Sequence, residues 1–284
     1  MKQSILFFLT ICAMANATFG QNSIPGQTGE QSPFVLGLVD EIKSAVLAEN
    51  RKLNIYLPQG YSQDAAATYP VIYLLDGSAD EDFIHVVGIV QFLTMIESMP
   101  ASIVVGIANV DRRRDFTFPT SVVQDKKKYP STGSSANFMT FIEKELQPFI
   151  QIKYKINTVK TIIGQSLGGL FATEVLLRKP ALFDNYIIVS PSLWWDNESL
   201  LTTAATLARQ QNDKNIHVYI STGSEGKQME NDVNHLVEIL QVPGKNNLQI
   251  DFMPLPGENH LTILHNSVYK GFQMLYPKKT DQKN

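Results

Sequence analysis

The sequence predicts an α/β fold, with a mostly parallel central sheet, helices on both faces and antiparallel lead-in strands, and three observations support it. Short β-branched runs alternate with longer amphipathic stretches, the order that right-handed β-α-β crossovers produce. The central runs are almost continuously apolar, as in strands that are covered on both faces. Most runs stop at Pro, Gly, Asn, Ser or Asp, residues that end strands.

The elements can be placed in order along the chain. The runs that predict strands are 53–57, 71–75, 103–108, 159–163, 186–189, 216–220 and 248–253. Residues 42–57 predict an antiparallel lead-in hairpin with its turn near 49–51. Helical spacing of apolar residues predicts helices at 83–99, 135–149, 167–178, 233–240 and 261–276. The chain has no internal repeat and no splitting linker, so we expect one folded domain at 41–277.

The first residues have the composition of a secretory signal peptide. A positive start is followed by an apolar run over 5–17 that ends in Ala15-Asn16-Ala17, which fits a cleavage site. The run is too short for a spanning helix, which needs roughly 20 apolar residues. We expect a signal peptide at 1–20, an N-terminal extension at 21–40 and a flexible tail at 278–284. The protein would then be exported, periplasmic or secreted, with no stable membrane insertion after cleavage.

Composition excludes several classes of function. Cys12 is the only cysteine and lies in the predicted signal peptide, so the mature chain would have no disulfide, no Cys nucleophile and no Cys-bound metal. The formal net charge of −3 lacks the basic excess of a nucleic-acid or membrane-surface binder. The basic runs at 112–114 and 126–128 are short, and such runs are usually solvated faces. The oligomeric state does not follow from the sequence.

The strongest chemical signal is the stretch Gly164-Gln165-Ser166-Leu167-Gly168, a G-x-S-x-G pattern between a buried strand and an amphipathic helix. In α/β hydrolases this tight strand-to-helix turn presents a nucleophilic serine, which predicts that role for Ser166. The N–H of Leu167 would be one oxyanion donor. The alternative is a structural glycine-rich turn with a capping serine.

A serine nucleophile needs a base, and the chain contains five histidines. In this fold the base follows both the nucleophile and the acid in chain order. His260 follows the last predicted strand and a Pro-Gly-Glu-Asn loop, which places it at the carboxyl edge of the sheet with Ser166. His260 is therefore the predicted base, and His265, farther into the helix, is the alternative.

The acid should follow the strand that ends at residue 220. The loop 221–232 offers Glu225, Glu230 and Asp232, and Glu225 is favoured because it is nearest the strand end. Its role would be to hold the imidazole tautomer and stabilise the imidazolium. Asp232, Glu230, Glu258 beside the base, and a Ser–His dyad without an acid remain open.

Further stretches at strand ends suggest the rest of a site. Backbone N–H groups near Gly77 and Ser78 are candidates for the second oxyanion donor, unless this is an ordinary turn. Trp194 and Trp195 could line a ligand cleft or belong to the core.

The run 109–115 also follows a predicted strand at the functional edge. Arg112 and Arg114 could hold an anionic or polyhydroxylated substrate. Alternatively, Asp111 and Asp115 pair with these arginines and pin the loop.

The stretches 53–77, 109–118, 162–172 and 190–195 together resemble the putative-esterase family of α/β hydrolases. That family includes enterochelin esterases, S-formylglutathione hydrolases, bacterial feruloyl esterases and mycolyltransferases. The resemblance implies that Ser166 is the nucleophile, that His260 is the base and that the turn at Gly77 lies near the oxyanion hole. The runs at 111–115 and 190–195 are most similar to the siderophore-trilactone esterase branch, part of which is periplasmic. Phe118 stands where that family usually has Pro, and the loop that contains Glu225 is shorter than the family pattern.

These observations predict a serine carboxylic-ester hydrolase that forms an acyl-enzyme on a small-molecule ester, such as a siderophore lactone or a sugar or aryl ester. The mechanism needs no metal and no cofactor. The alternatives are an acyltransferase on the same scaffold, a non-catalytic ligand-binding homologue and, third, a peptidase.

Overall fold

The computed structural model describes residues 32–208, 214–241 and 247–277. The described residues from Leu36 onward belong to one compact unit. The predicted signal peptide and the predicted tail lie outside the described residues. Within the described ranges, we find no helix with the length and apolar character needed to cross a membrane.

An eight-stranded sheet has the order β1-β2-β4-β3-β5-β6-β7-β8. β1 pairs antiparallel with β2, β2 pairs antiparallel with β4, and the remaining pairs are parallel. This confirms the α/β-hydrolase fold with antiparallel lead-in strands. The strands are β1 Leu38–Ser44, β2 Glu49–Tyr56, β3 Tyr69–Leu74, β4 Ile103–Ile107, β5 Ile156–Gln165, β6 Asn185–Val189, β7 Ile216–Thr222 and β8 Leu248–Pro254. β1 begins inside the segment 21–40 that the sequence assigns to an extension.

The connections between strands are mostly helical. The helices are α1 Phe83–Met95, α2 Arg112–Phe116, α3 Val123–Lys128, α4 Ser135–Phe141, α5 Gln147–Lys153, α6 Leu167–Arg178, α7 Trp195–Ala208, α8 Lys227–Leu240 and α9 Ile263–Leu275. A π-helical turn at Ile142–Leu146 joins α4 to α5, so the helix predicted at 135–149 is continuous and longer. Three of these helices, α2, α3 and α7, were not predicted from the sequence.

The core lies on both faces of the sheet. Along β3, Val71 and Tyr73 belong to one buried cluster, whereas Ile72 and Leu74 belong to the other. Because successive side chains of a strand point to opposite faces, a strand that is covered on both sides must be apolar throughout. The first cluster contains residues of α4, α6 and α8, and the second contains residues of α1 and α9. This explains why the run 71–75 shows no alternation.

The lead-in hairpin turns earlier than predicted, at residues 45–48 rather than 49–51. The Glu145 carboxylate accepts hydrogen bonds from the N–H groups of Ala45 (2.9 Å) and Val46 (3.1 Å) and from the Ser44 hydroxyl (2.5 Å). A carboxylate about a hundred residues away in the chain therefore stabilises the hairpin turn at this position.

Candidate active site

The predicted site residues meet at the carboxyl edge of the parallel strands, where the loops after β5, β6, β7 and β8 converge. Ser166 lies between β5 and α6, and the segment that begins at Ser190 follows β6. Glu225 lies between β7 and α8, and His260 lies between β8 and α9. Four adjacent parallel strands thus bring together residues almost a hundred positions apart.

Ser166 occupies a strained turn with φ 58° and ψ −118°, a conformation that L-residues rarely adopt. A Cβ at Gly164 would lie 2.4 Å from the Gly168 carbonyl oxygen, so the turn needs glycine there. The Ser166 N–H donates to the Val189 carbonyl (3.1 Å), and the Ser192 N–H donates to the Ser166 carbonyl (3.0 Å). These bonds hold the serine hydroxyl clear of the sheet.

Ser166, His260 and Glu225 form a continuous hydrogen-bonded line. The Ser166 Oγ lies 3.0 Å from His260 Nε2, and His260 Nδ1 lies 2.5 Å from Glu225 Oε2. The other carboxylate oxygen, Oε1, accepts from the Gly223 N–H (3.1 Å) and from the Ser190 hydroxyl. A hydroxyl, an imidazole and a buried carboxylate in this order can transfer the hydroxyl proton to the imidazole.

The electrostatic environment keeps Glu225 ionised although its side chain is only 2 % exposed. Burial alone would raise the pKa of this carboxyl, but hydrogen bonds from His260, Ser190 and the Gly223 N–H outweigh burial and hold the pKa below its usual value. The carboxylate can therefore accept the Nδ1–H of a neutral imidazole, which leaves Nε2 free to take the proton from Ser166.

Further hydrogen bonds join the loops that carry the acid and the base. The Gln165 side chain donates to the His260 carbonyl (2.5 Å) and ties the base to the serine turn. The Ser224 N–H donates to the Glu258 carbonyl (2.8 Å), and the Ser224 hydroxyl donates to the Pro256 carbonyl (2.9 Å). The position of the His260 imidazole thus depends on the serine turn and on the loop that contains Glu225, as well as on its own loop.

The other carboxylates that the sequence offered lie elsewhere. Glu230 accepts two backbone N–H groups at the start of α8 (3.1 and 3.2 Å) and caps that helix. Glu258 is partly exposed and binds a side chain of α9. Asp232 is buried on α8. Among the described residues, Glu225 is the carboxylate that bonds His260.

Asp232 has a distinct environment, because its residue is only 5 % exposed and its Oδ2 has no hydrogen-bond partner among the described residues. Burial, followed by repulsion from Glu198, raises the pKa of Asp232 to about 6, although His235 opposes the shift. At neutral pH the fold therefore contains a charge that its surroundings do not favour.

We expect Asp232→Asn to raise the Tm at pH 7.5 by roughly 2–4 °C, the change that about 1 kcal/mol makes in a domain of this size. Between the usual pKa of 3.8 and the folded value of about 6, the folded chain retains a proton that the unfolded chain releases. Stability therefore falls as the pH rises through this window, and the advantage of Asn disappears near pH 4. Differential scanning calorimetry between pH 4 and pH 7.5 measures the difference in Tm between the wild type and Asp232→Asn. The exposed Asp64→Asn is the control, and an unchanged or lower Tm at pH 7.5 would contradict the expectation.

The candidate oxyanion donors differ in availability. Leu167 is the first residue of α6, and an N–H at that position has no acceptor within its own helix. The Gly77 N–H already donates to the Ile107 carbonyl (3.1 Å), and the Ser78 N–H faces Glu81 at 3.4 Å. A Cβ at Gly77 would lie 2.4 Å from the backbone of β4, so this glycine serves strand packing. The structure therefore corrects the prediction of a free donor at Gly77 or Ser78.

The two tryptophans lie on opposite sides of the same segment. Trp194 is 36 % exposed and lines a cleft of about 500 Å³ together with Ser166, Ser192, Ser224, Glu225, Met229, Asn259 and His260. Trp195 is 1 % exposed and donates its indole N–H to the Phe118 carbonyl (2.9 Å). Trp195 is a core residue, which corrects its prediction as a cleft residue.

The arginines are engaged in ion pairs and are absent from the cleft lining. Arg112 donates two hydrogen bonds to Asp76 (2.6 and 2.9 Å) and one to the Gln165 carbonyl (3.3 Å). It therefore braces the serine turn against the end of β3.

Arg114 donates two hydrogen bonds to Glu49 (2.7 and 2.9 Å) and one to Asp115 (2.8 Å). Asp115 also pairs with Arg51, whose side chain is 1 % exposed. These four side chains anchor α2 to β2, so the structure corrects the substrate-binding prediction for Arg114. Asp111 instead caps α2 by accepting the Arg114 N–H (3.0 Å).

The site also contains five residues that were not predicted from the sequence, namely Ser190, Ser192, Gln165, Met229 and Asn259. Ser190 and Ser192 carried a usable signal, because they follow a strand end at the functional edge. In the described ranges, no group of three or more His, Cys, Asp or Glu side chains could hold a metal ion.

Comparisons with known proteins agree with this architecture. The putative esterase family matches residues 44–269. The ferri-bacillibactin esterase BesA of Bacillus subtilis is 31 % identical over 247 residues, 76 % of this chain and 82 % of BesA. An IroE-like serine hydrolase from Shewanella oneidensis has a TM-score of 0.78 and 29 % identity, covering 84 % of this chain and 80 % of that one. The BES protein from Bacillus cereus has a TM-score of 0.77 and 30 % identity, covering 87 % and 98 %.

The family match extends over most of the chain, and it includes the serine turn, the acid loop and the base loop. A siderophore enterobactin esterase of Emericella nidulans is 38 % identical over 93 residues, 32 % of this chain and 31 % of that protein, and with BesA it places the chain in the siderophore esterase branch. This chain therefore belongs to the putative esterase family of α/β hydrolases, in the siderophore esterase branch, and is a carboxylic ester hydrolase.

Proposed function

We propose that this protein hydrolyses the ester bonds of a small-molecule siderophore lactone, with Ser166 as nucleophile, His260 as base and Glu225 as acid. The observation that carries the mechanism is the hydrogen-bonded line from Ser166 Oγ through the imidazole to the buried carboxylate. The similarity to BesA, a ferri-bacillibactin esterase, and to a siderophore enterobactin esterase supports the substrate class.

The reaction would proceed through an acyl-enzyme. His260 takes the Ser166 proton as Oγ attacks the ester carbonyl carbon, and the Leu167 N–H stabilises the oxyanion. His260 then protonates the departing alkoxide, and a water repeats the attack with His260 again as base. Glu225 holds the Nδ1–H throughout and favours the imidazolium that forms twice in each cycle.

The cleft is consistent with a bulky ester that carries aromatic groups. Ser166 lies in a cleft of about 500 Å³, within the range of small-molecule sites. Trp194 and Met229 supply apolar walls, and Ser224 and Asn259 supply polar groups near the rim. An aromatic side chain such as Trp194 can pack against an aryl ring, with about 0.5–1.5 kcal/mol beyond area burial.

We also propose that the protein is exported and acts in the periplasm or outside the cell. The apolar run over 5–17 and the small residues at 15–17 support this location. A fusion of residues 1–31 to a reporter that is active only outside the cytoplasm would test it.

The substrate can be tested with iron-free and ferric catecholate trilactones, p-nitrophenyl esters and feruloyl sugars, followed by mass spectrometry. We expect each trilactone product to gain the mass of one water per ester cleaved, with kcat/KM exceeding that of the other esters. Cleavage of simple esters alone would remove the siderophore assignment. A product formed by transfer to an added alcohol, in place of water, would favour the acyltransferase.

A further inference from the structure

The segment Ser190-Pro191-Ser192 follows β6 directly, and the mechanism above gives it no role. Ser190 and Ser192 are 0 % and 2 % exposed. Ser190 has φ 42°, in the left-handed region, and its N–H donates to the Ser221 carbonyl (2.9 Å). The backbone strain and the burial of two hydroxyls at the edge of the active site suggest that this segment has a functional role in addition to packing.

The first hydroxyl binds the acid. The Ser190 hydroxyl and the Gly223 N–H both donate to Oε1 of Glu225, while Oε2 faces His260. The carboxylate therefore has donors on both oxygens, and it cannot rotate without breaking one of these bonds. Ser190 determines which oxygen is left for the imidazole.

The second hydroxyl contacts the nucleophile. Ser192 Oγ lies 3.2 Å from Ser166 Oγ, and the Ser192 N–H donates to the Ser166 carbonyl. When Nδ1–H is donated to Glu225, Nε2 of His260 must accept the Ser166 proton. The Ser166 oxygen can then only accept from Ser192, so the Ser192 hydroxyl is the donor.

The backbone keeps the two hydroxyls at a constant separation. Pro191 locks its own φ between them. A Cβ at Gly169 would lie 2.9 Å from the Pro191 Cα, so α6 packs directly on this proline through glycine. The helix that follows the nucleophile is therefore in contact with the segment that binds both ends of the hydrogen-bonded line.

We propose that Ser190 is a positioning residue that orients Glu225, and that Ser192 is a catalytic residue that donates a hydrogen bond to Ser166 Oγ. This inference rests on the proposed function. During acylation, Oγ forms its bond to the carbonyl carbon as its proton moves to His260. During deacylation, the bond from the carbonyl carbon to Oγ breaks, and Oγ regains a proton from His260. The Ser192 O–H stabilises the negative charge on Oγ in both steps.

The test compares Ser190→Ala and Ser192→Ala with Ser102→Ala, a buried serine at the opposite end of the sheet that donates to Pro100 (2.8 Å). Active-site titration with a p-nitrophenyl phosphonate counts folded, reactive enzyme, so that kcat is expressed per reactive Ser166. We expect Ser192→Ala to lower kcat about tenfold, the effect of one strong hydrogen bond, with KM and the shape of the pH profile unchanged.

Ser190→Ala should differ in its pH dependence. A carboxylate that has lost one donor attracts the Nδ1 proton more strongly and favours the imidazolium, which cannot act as base. The acid limb of kcat/KM should therefore move to higher pH by roughly half a unit, and kcat should fall several-fold. Ser102→Ala should match the wild type in both measurements. Wild-type kcat and a wild-type pH profile in both Ser190→Ala and Ser192→Ala would overturn the inference, while phosphonate labelling of the wild type would still support the proposed function. No phosphonate adduct in the wild type would instead refute the proposed function.

Discussion

Ser166→Ala should lower kcat/KM for ester hydrolysis by roughly 10⁴- to 10⁶-fold, the loss seen when a serine nucleophile is removed from a comparable site. The substitution deletes only the hydroxyl that lies 3.0 Å from His260 Nε2. It leaves the glycines of the turn and the backbone bonds to β6 in place. The fold should therefore persist, and the Tm should stay within about 2 °C of the wild type.

Mass spectrometry after treatment with a fluorophosphonate gives the matching readout. The wild type should gain one adduct, on the peptide that contains Ser166, and Ser166→Ala should gain none. Ser102→Ala should label as the wild type does. Hydrolysis at the wild-type rate by Ser166→Ala would show that another group attacks the ester, and the assignment of the nucleophile would fail.

The fold was predictable where local pattern and tertiary packing agree. The helix predicted at 167–178 has these bounds in the structure, because it follows a glycine turn and stops before a proline, although residues 168–177 are all buried and the helix is not amphipathic as expected. The start of α7 shows the opposite case. Asp196 there has φ 52° and accepts hydrogen bonds from the Thr120 hydroxyl (2.9 Å) and from the Ser121 N–H (2.5 Å). These partners lie about 75 residues away in the chain, so no local pattern indicates the helix start.

In the candidate site, too, some features follow from local sequence and others depend on long-range contacts. The strand-to-helix turn and the chain order locate Ser166 and His260, and both follow from local sequence. Whether the Gly77 N–H is free depends on the Ile107 carbonyl, which pairing between distant strands brings near. In the same way, Glu49 on a lead-in strand occupies Arg114. Whether a donor group is free to bind a substrate depends on contacts between distant parts of the chain, and the local sequence pattern does not reveal these contacts.

Glu225→Gln should lower kcat by roughly 10³- to 10⁴-fold while KM changes little, because the amide preserves the side-chain shape but not its charge. The amide nitrogen can donate to His260 Nδ1, which places the ring proton on Nε2 and leaves no acceptor for the Ser166 proton. The Ser190 hydroxyl and the Gly223 N–H favour this outcome, since both need an acceptor at the position of Oε1. The amide oxygen will occupy that position and turn the amide nitrogen toward the imidazole.

Steady-state kinetics of Glu225→Gln and Glu258→Gln decide whether the site is a triad or a dyad. Glu258 has the same side chain and lies beside the base, but it binds a side chain of α9, so its variant should keep wild-type kcat. A loss of less than tenfold in Glu225→Gln would mean that Ser166 and His260 act as a dyad.

The thermal stability of Glu225→Gln gives a second readout. Because the pKa of Glu225 lies below its usual value of 4.5, the ionised carboxylate stabilises the fold at pH values above 4.5. This stabilisation is lost as the pH falls below 4.5. The Tm difference between the wild type and Glu225→Gln should therefore be constant at neutral pH and shrink in acid, because the neutral amide cannot follow the titration.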